Sequence, residues 1–248
     1  MKIQGWMSVL AALFLFMSSF ASAADKGTPV DFRACHFLDG KTMKDLDKVT
    51  EKFRKFANTN DVDYAAWTLR PQYQTGLDLD LAWLGAWPSG DAFGVSMEKW
   101  HKNGQGLQAE FDQVIDCSSR HEMAVSYPIN APKGTPQDGV WLFYACKLNE
   151  GVSIPQALAA HREAGQVMKT KGSLSLSWML VPGIGAGPTD VDYYHSLVFY
   201  RYSDLGSTME MFVNNGGQQA RSAILDKVRS CNTPSLFEAA SVRAYDER

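Results

Sequence analysis

Four cysteines, two Asp-x-Asp pairs and a scatter of histidines are the residues of this chain whose types could do chemistry. Cys35, Cys117, Cys146 and Cys231 contain no C-x-x-C spacing, which argues against a metal or dithiol redox centre. Asp78-Leu-Asp80 and Asp190-Val-Asp192 offer the carboxylates that Ca²⁺ or Mg²⁺ would take. Two carboxylates are few for such an ion, and both pairs stand where a turn enters a strand. They read as solvated turn residues, and no metal site is expected. Gly183-x-Gly-x-Gly187 lacks the helix that follows a dinucleotide fingerprint and reads as a hairpin loop. Ser-His-Asp and Cys-His catalysis leave no local signature here.

His36 sits next to Cys35 on a strand, so the two side chains point to opposite faces. His195 alternates in the same way with Tyr194. Either histidine could hydrogen-bond a ligand or act as a base, but each reads first as a satisfied structural residue. His101 and His161 fall on helices and read as solvated. A haem would need an axial ligand. His195 or His161 could serve, but no spacing supports it, and no motif calls for a cofactor. Six tryptophans follow residue 23, and four of them (Trp67, Trp83, Trp87 and Trp100) lie in the first half of the chain. Large aromatic side chains line apolar pockets, and they also fill ordinary cores.

What must position these residues is a repeated module. FRACHF at 32–37 is echoed by FYACKL at 143–148, an offset of 111. Thr42-Met-Lys-Asp45 and Ser153-Ile-Pro-Gln156 keep that offset, and each reads as a capping box that starts a helix. Trp67-x-Leu-x-Pro and Trp178-x-Leu-x-Pro keep it too. The Asp-x-Asp pairs then match at 112, and Cys117 matches Cys231 at 114. Under this alignment no histidine is duplicated: His36 faces Lys147, His101 faces Val213, His161 faces Thr50 and His195 faces Trp83.

Each copy reads β-α-β-β-α-β. Strands are expected over 32–38 and 141–148, an amphipathic helix from Thr42 with its stripe at Met43, Leu46, Val49, Phe53 and Phe56, then strands over 62–69 and 79–87. A helix over 91–100 is broken at Asn103-Gly-Gln-Gly, resumes over 107–117, and a strand over 120–126 closes the unit. Short connections and right-handed crossovers make this a split-βαβ, ferredoxin-like unit with its fourth strand beside its first. Its bare sheet face is rich in aromatic residues and should not stay in water. At about 25 cal/mol per Å² of buried apolar area, packing the two sheets together is favoured.

The 248 residues carry 45% hydrophobic and 21% charged side chains, the balance of a folded globular protein. Lys2, the apolar run from Trp6 to Phe20 and Ala21-Ser22-Ala23 have the three-part layout of a secretory leader cleaved near Ala23. The expected organisation is a leader at 1–23, a first unit at 24–127, a Pro/Gly-containing linker at 128–140 and a second unit at 141–248. Without Lys2 the chain holds 23 basic and 27 acidic residues, a formal charge of −4. No basic stripe invites nucleic acid, and no further segment is long and apolar enough to span a membrane. The expected location is the periplasm or the exterior.

The unit resembles those of the dimeric α/β-barrel superfamily, which includes the antibiotic-biosynthesis monooxygenase-like and EthD-like families, here fused in tandem. The resemblance rests on the element order, on the aromatic third strands LAWLGAW and LVFYRY, and on the helices broken at WHKNGQG and FVNNGG. It implies an α+β fold in which two ferredoxin-like units pack sheet to sheet as one intrachain α/β barrel. It also implies a pocket between sheet and helices near Trp83, Trp87 and Trp100, with Arg70, Tyr73 and Arg201 as polar ends and His36 and His195 as further candidates. No family's catalytic set is reproduced. One cysteine of each unit falls in the first strand and one just before its neighbour, the fourth, so Cys35 is expected to pair with Cys117 and Cys146 with Cys231.

The functional expectation is the binding, with or without metal-free transformation, of a small apolar or aromatic molecule. The alternative is a non-catalytic exported structural, interaction or stress-related module, and a third is haem binding. A cavity of several hundred Å³ lined by Trp83, Trp87 and a His or Arg favours the first. Solid packing favours the second.

Overall fold

The computed structural model describes residues 26–74 and 76–245. The expected leader lies outside the described residues. The first half runs β1 (Thr28–Phe37), α1 (Met43–Thr59), β2 (Ala65–Tyr73), β3 (Leu81–Ala86), α2 (Gly90–Asn103), α3 (Gln105–Phe111) and β4 (Ile115–Asn130). The second runs β5 (Gly139–Leu148), α4 (Ile154–Thr170), β6 (Leu176–Pro182), β7 (Tyr193–Phe199), α5 (Tyr202–Asn214), α6 (Gly217–Leu225), β8 (Arg229–Cys231) and β9 (Ser235–Arg243).

Both expected capping boxes form, with Asp45 bonding back to Thr42 and Gln156 to Ser153. From its cap, α1 buries Leu46, Val49, Thr50, Phe53 and Ala57, one face of a 3.6-residue period. The first half departs from expectation mainly at its fourth strand, which begins earlier than 120 and runs on to Asn130, into the expected linker. The helix ends at Phe111, and a turn closed by Val114 N–H to the Phe111 carbonyl (2.8 Å) leads into β4 at Ile115. Cys117 therefore lies inside the fourth strand. In the second half the matching strand is split at Asn232-Thr-Pro234 into β8 and β9, because proline cannot donate to the ladder.

The strand order is β4-β1-β3-β2 in the first half and β9-β5-β7-β6 in the second, all antiparallel. The two sheets join edge to edge through β2–β9 and β4–β6, giving a closed eight-stranded barrel. Strand alternation then sorts the side chains. Trp67, Leu69, Leu84, Trp141, Val198 and Phe237 belong to the cluster inside the barrel. Trp83 and Trp87 face outward to α1 and α2. The rich aromatic content of the strands thus serves two separate spaces, one inside the barrel and one outside it under the helices of the first half.

Cys35 bonds Cys117 across 82 residues, and Cys146 bonds Cys231 across 85. Each bridge ties the first strand of a half to its fourth. Closing loops of this length stabilises the fold by about 4–5 kcal/mol on the chain-entropy estimate. Replacing Cys146 and Cys231 together by Ala should lower the unfolding free energy by about 2–5 kcal/mol in urea titrations. An unchanged midpoint would show that the bridge does not constrain the unfolded chain.

Candidate functional site

The residues singled out near Trp83 converge between the outer face of the first half's sheet and its helices. Phe53 of α1 is the hub. Its ring lies 5.7 Å from that of Trp83, 5.9 Å from Tyr64, 6.1 Å from Trp100 and 6.3 Å from Phe111, all edge-to-face. Trp87 packs at 4.6 Å on Tyr64 and 4.9 Å on Phe93. Such pairs add about 0.5–1.5 kcal/mol each beyond their area. They leave a chamber of about 110 Å³ whose rim carries Arg33, Gln108 and Asp112. The cation at this chamber is Arg33, and Arg70 does not reach it. The volume is below the several hundred Å³ expected. It sits at the scale of a single ring, since an engineered cavity of about 150 Å³ takes benzene. The Trp87 Nε1–H is buried without a hydrogen-bond partner among the described residues.

Behind the chamber lies a buried charge that sequence reasoning overlooked. Asp31, 2% exposed on β1, accepts from Tyr64 Oη at 3.0 Å and from Arg33 Nε at 3.0 Å, with His121 Nε2 at 3.5 Å. Tyr64 Oη in turn accepts from Trp83 Nε1 at 2.7 Å. Burial alone would raise the Asp31 carboxyl; the contacts with His121, Arg33 and Tyr64 outweigh it and hold the group below its ordinary value. Burial and the Asp31 charge push the Tyr64 phenol well up, so it stays protonated. This relay needs a glycine opposite. Asp31 is registered against Gly85, and a Cβ there would stand 1.8 Å from Tyr64 Oη and 2.1 Å from Asp31 Oδ1. The signal available was the one acid of β1, which register sets opposite a mid-strand glycine.

The second half fills the equivalent space differently. His195, which matches Trp83, stacks on His161 at 4.3 Å, and His161 Nε2 shares a 2.9 Å hydrogen bond with Tyr193 Oη. His161 is buried, not solvated as its helical setting suggested, because α4 packs that face with Ala157, Leu158 and Ala164 onto the sheet. Burial, then the Arg229 and Arg221 charges, bring His161 down to about 3; burial and His161 itself hold His195 well below its usual value. Both rings are neutral at pH 7. His161 Nε2 is committed to Tyr193. His195 Nδ1 has no partner among the described residues, but the two residues are only 2% and 6% exposed, so as packed they leave no room beside them for a haem.

The remaining candidates lie elsewhere. Arg70 and Arg201 share an outer groove of about 430 Å³ over the β2–β9 seam, where Arg70 pairs with Glu238 and Arg201 with Asp204. Tyr73 is exposed at the end of β2. His36 stands 3.6 Å from both Asp78 and Asp80, as its counterpart Lys147 stands 3.5 Å from Asp190. Asp80 and Asp192 each accept the backbone N–H of the matching first strand, from Phe37 and Leu148. The duplicated carboxylates thus stitch strand ends. No group of three or more potential metal ligands occurs among the described residues. A third cavity, of about 440 Å³, opens at the mouth of the barrel beneath residues 131–136.

Solved structures of the same architecture cover nearly all of this chain. A candidate chlorite dismutase aligns over 88% of the chain and 96% of its own length at 13% identity, TM-score 0.55. An anthrone oxidase-like protein aligns over 90% and 94% at 10% identity, TM-score 0.53. A candidate monooxygenase from Fusobacterium nucleatum aligns over 90% and 95% at 9% identity, TM-score 0.53. The fold is the dimeric α/β barrel, built from one chain. At such identities the likeness speaks for fold alone. No protein-family model and no curated protein matches the sequence.

Two expectations follow from the site. Gly85→Ala should break the Tyr64–Asp31 contact, leave a buried carboxylate short of a donor and destabilise by about 3 kcal/mol; urea unfolding reads this directly, and wild-type stability would show the relay to be dispensable. The histidine pair sets an acid limit. Unfolded histidines protonate near 6.5, whereas His161 does so in the fold only near 3. Their folded values are depressed, so stability is intact above about pH 6.5 and falls as pH drops toward 3. The slope is at most about 1.4 kcal/mol per pH unit for each ring. His195→Gln should flatten the fall of the urea midpoint between pH 6.5 and 4, and an unchanged slope would mean that His195 titrates normally.

Proposed function

We propose that the protein binds a small single-ring aromatic molecule, a phenol, in the chamber between the first half's sheet and its helices. The observation that carries this reading is the unpartnered Trp87 Nε1–H beside an aromatic chamber that Tyr64 also lines. A buried indole N–H without a partner costs about 1–3 kcal/mol, and a ligand oxygen would relieve that cost. Tyr64 Oη already donates to Asp31 and accepts from Trp83, which leaves one lone pair to accept from a ligand hydroxyl. A phenolic hydroxyl supplies both the acceptor and the donor. Arg33, with 30% of its side chain exposed and its guanidinium paired to Asp31, stands at the rim with Gln108 and Asp112.

Binding is the role these groups support. Any transformation of the ligand would involve Tyr64, which could take the ligand's hydroxyl proton on its free lone pair only as its own proton passes to Asp31. The two disulfides and the leader-like first residues support action in an oxidising compartment outside the cytoplasm.

Titrating phenol, p-cresol and catechol into the disulfide-intact protein should quench tryptophan fluorescence saturably, at one site per chain. Trp87→Phe keeps the ring and removes the donor, and should weaken binding about two- to twelvefold, the worth of one neutral hydrogen bond. Absence of saturable quenching by all three compounds, or affinity indifferent to Trp87→Phe, would overturn the reading.

A further inference from the structure

The interior of the barrel holds a second space with its own polar logic. An eight-stranded barrel is just wide enough to be filled by side chains or to hold one small ligand. Here it is not filled at one end. The cavity of about 440 Å³ at the mouth is bounded by both halves and roofed by residues 131–136 of the connector. The roof is held down: Trp67 Nε1 donates to the Pro136 carbonyl at 2.9 Å, and the Tyr245 N–H reaches Thr135 Oγ1 at 3.4 Å. This volume lies in the usual range for small-molecule sites, and it is about four times that of the outer chamber.

Two polar atoms on the wall have no partner among the described residues. Trp141 is 4% exposed and Ser196 is 2% exposed, and both Trp141 Nε1 and Ser196 Oγ are buried and unbonded. They are neighbours on one interior face. Trp141 of β5 is registered against Val198 of β7, and Ser196 stands two residues earlier on that strand, which is the diagonal contact of an antiparallel pair. Trp178 lies directly across from Ser196 on β6, and the Trp67 and Trp141 rings pack at 5.4 Å with their planes inclined at 45°. Among the lining residues the single charge is Lys133, on the roof, and no carboxylate lines the cavity. Flat indole walls, two spare donors close together and one cation describe a complementary molecule.

We propose that the barrel mouth is a separate binding site for a flat, mostly apolar molecule of about two fused rings that carries a carboxylate or carbonyl oxygen. The oxygen accepts from Trp141 Nε1 and Ser196 Oγ, and the rings lie among Trp67, Trp141 and Trp178. Lys133 favours the anionic member of the class. This site is independent of the outer chamber, because Trp83 and Trp87 lie on the opposite face of the sheet.

Isothermal titration of the full, disulfide-intact protein with 2-naphthoate tests it. One equivalent should bind per chain, naphthalene should bind more weakly, and Trp141→Phe and Ser196→Ala should each weaken 2-naphthoate about three- to tenfold. Ser196→Ala should leave the ligand-free melting temperature unchanged or raised, since it removes a group without a partner. No binding of 2-naphthoate up to about 5 mM, affinity untouched by both substitutions, or a melting temperature several degrees lower in Ser196→Ala would each overturn the proposal; the last would mean that bound water already satisfies the hydroxyl. Phenol binding is read separately through Trp87→Phe, so failure at one site leaves the other standing.

Discussion

A four-stranded sheet has two edges, and each edge is a row of unpaired N–H and C=O groups that another strand can capture. In this protein the edges of one half are satisfied by the other. β2 takes β9 as its neighbour over Ala66–Tyr73, and β4 takes β6 over Ala124–Asn130. Side chains reinforce the first seam: Arg243 of β9 donates to the Tyr64 carbonyl at 2.6 Å, and Arg54 of α1 donates to the Val242 carbonyl at 3.2 Å. Once the ring of strands is closed, inside and outside are fixed for every residue. Trp67 must point inward and Trp83 outward, and the two cavities they line cannot merge.

The copies share this frame and differ in what they do with it. In the first half the space under the helices holds Asp31, Tyr64 and Gly85 as one interdependent set. Their counterparts in the second half are Leu142, Ser175 and Leu197, and the Leu142–Leu197 register is the same one that sets Asp31 against Gly85. A buried carboxylate is expensive to desolvate unless it is fully bonded, so this set survives only as a whole. The second half fills its space with Tyr193, His161 and His195. The two halves thus carry like frames with unlike contents: an aromatic chamber lined by Tyr64 in the first, and the packed Tyr193, His161 and His195 in the second.

Much of this organisation was readable from the residues. The repeat, both capping boxes, the strand order within each half and both disulfide pairs follow from local patterns that recur at nearly constant spacing. Side-chain direction was harder. A strand such as Leu81–Ala86, buried on both faces, gives no polar alternation to show which tryptophan faces which way. His161 was misread because a helix carrying Arg162 and Glu163 beside it looks exposed until its packed face is known. Asp31 and His121 were overlooked because their meaning depends on strand register, which brings His121 against Arg33 and Asp31 against Gly85. The barrel-mouth cavity could not be foreseen at all, since its walls come from both halves and its roof from the connector.

The seam between β2 and β9 joins Arg70 to Glu238, 168 positions apart. Made from the N-terminus, the growing polypeptide must carry an unfinished sheet until β9 emerges. Such distant pairing is slow and leaves a sticky border open in the meantime. For a nascent chain with this topology, a route that keeps it extended until synthesis is complete removes the danger of premature pairing with a neighbour.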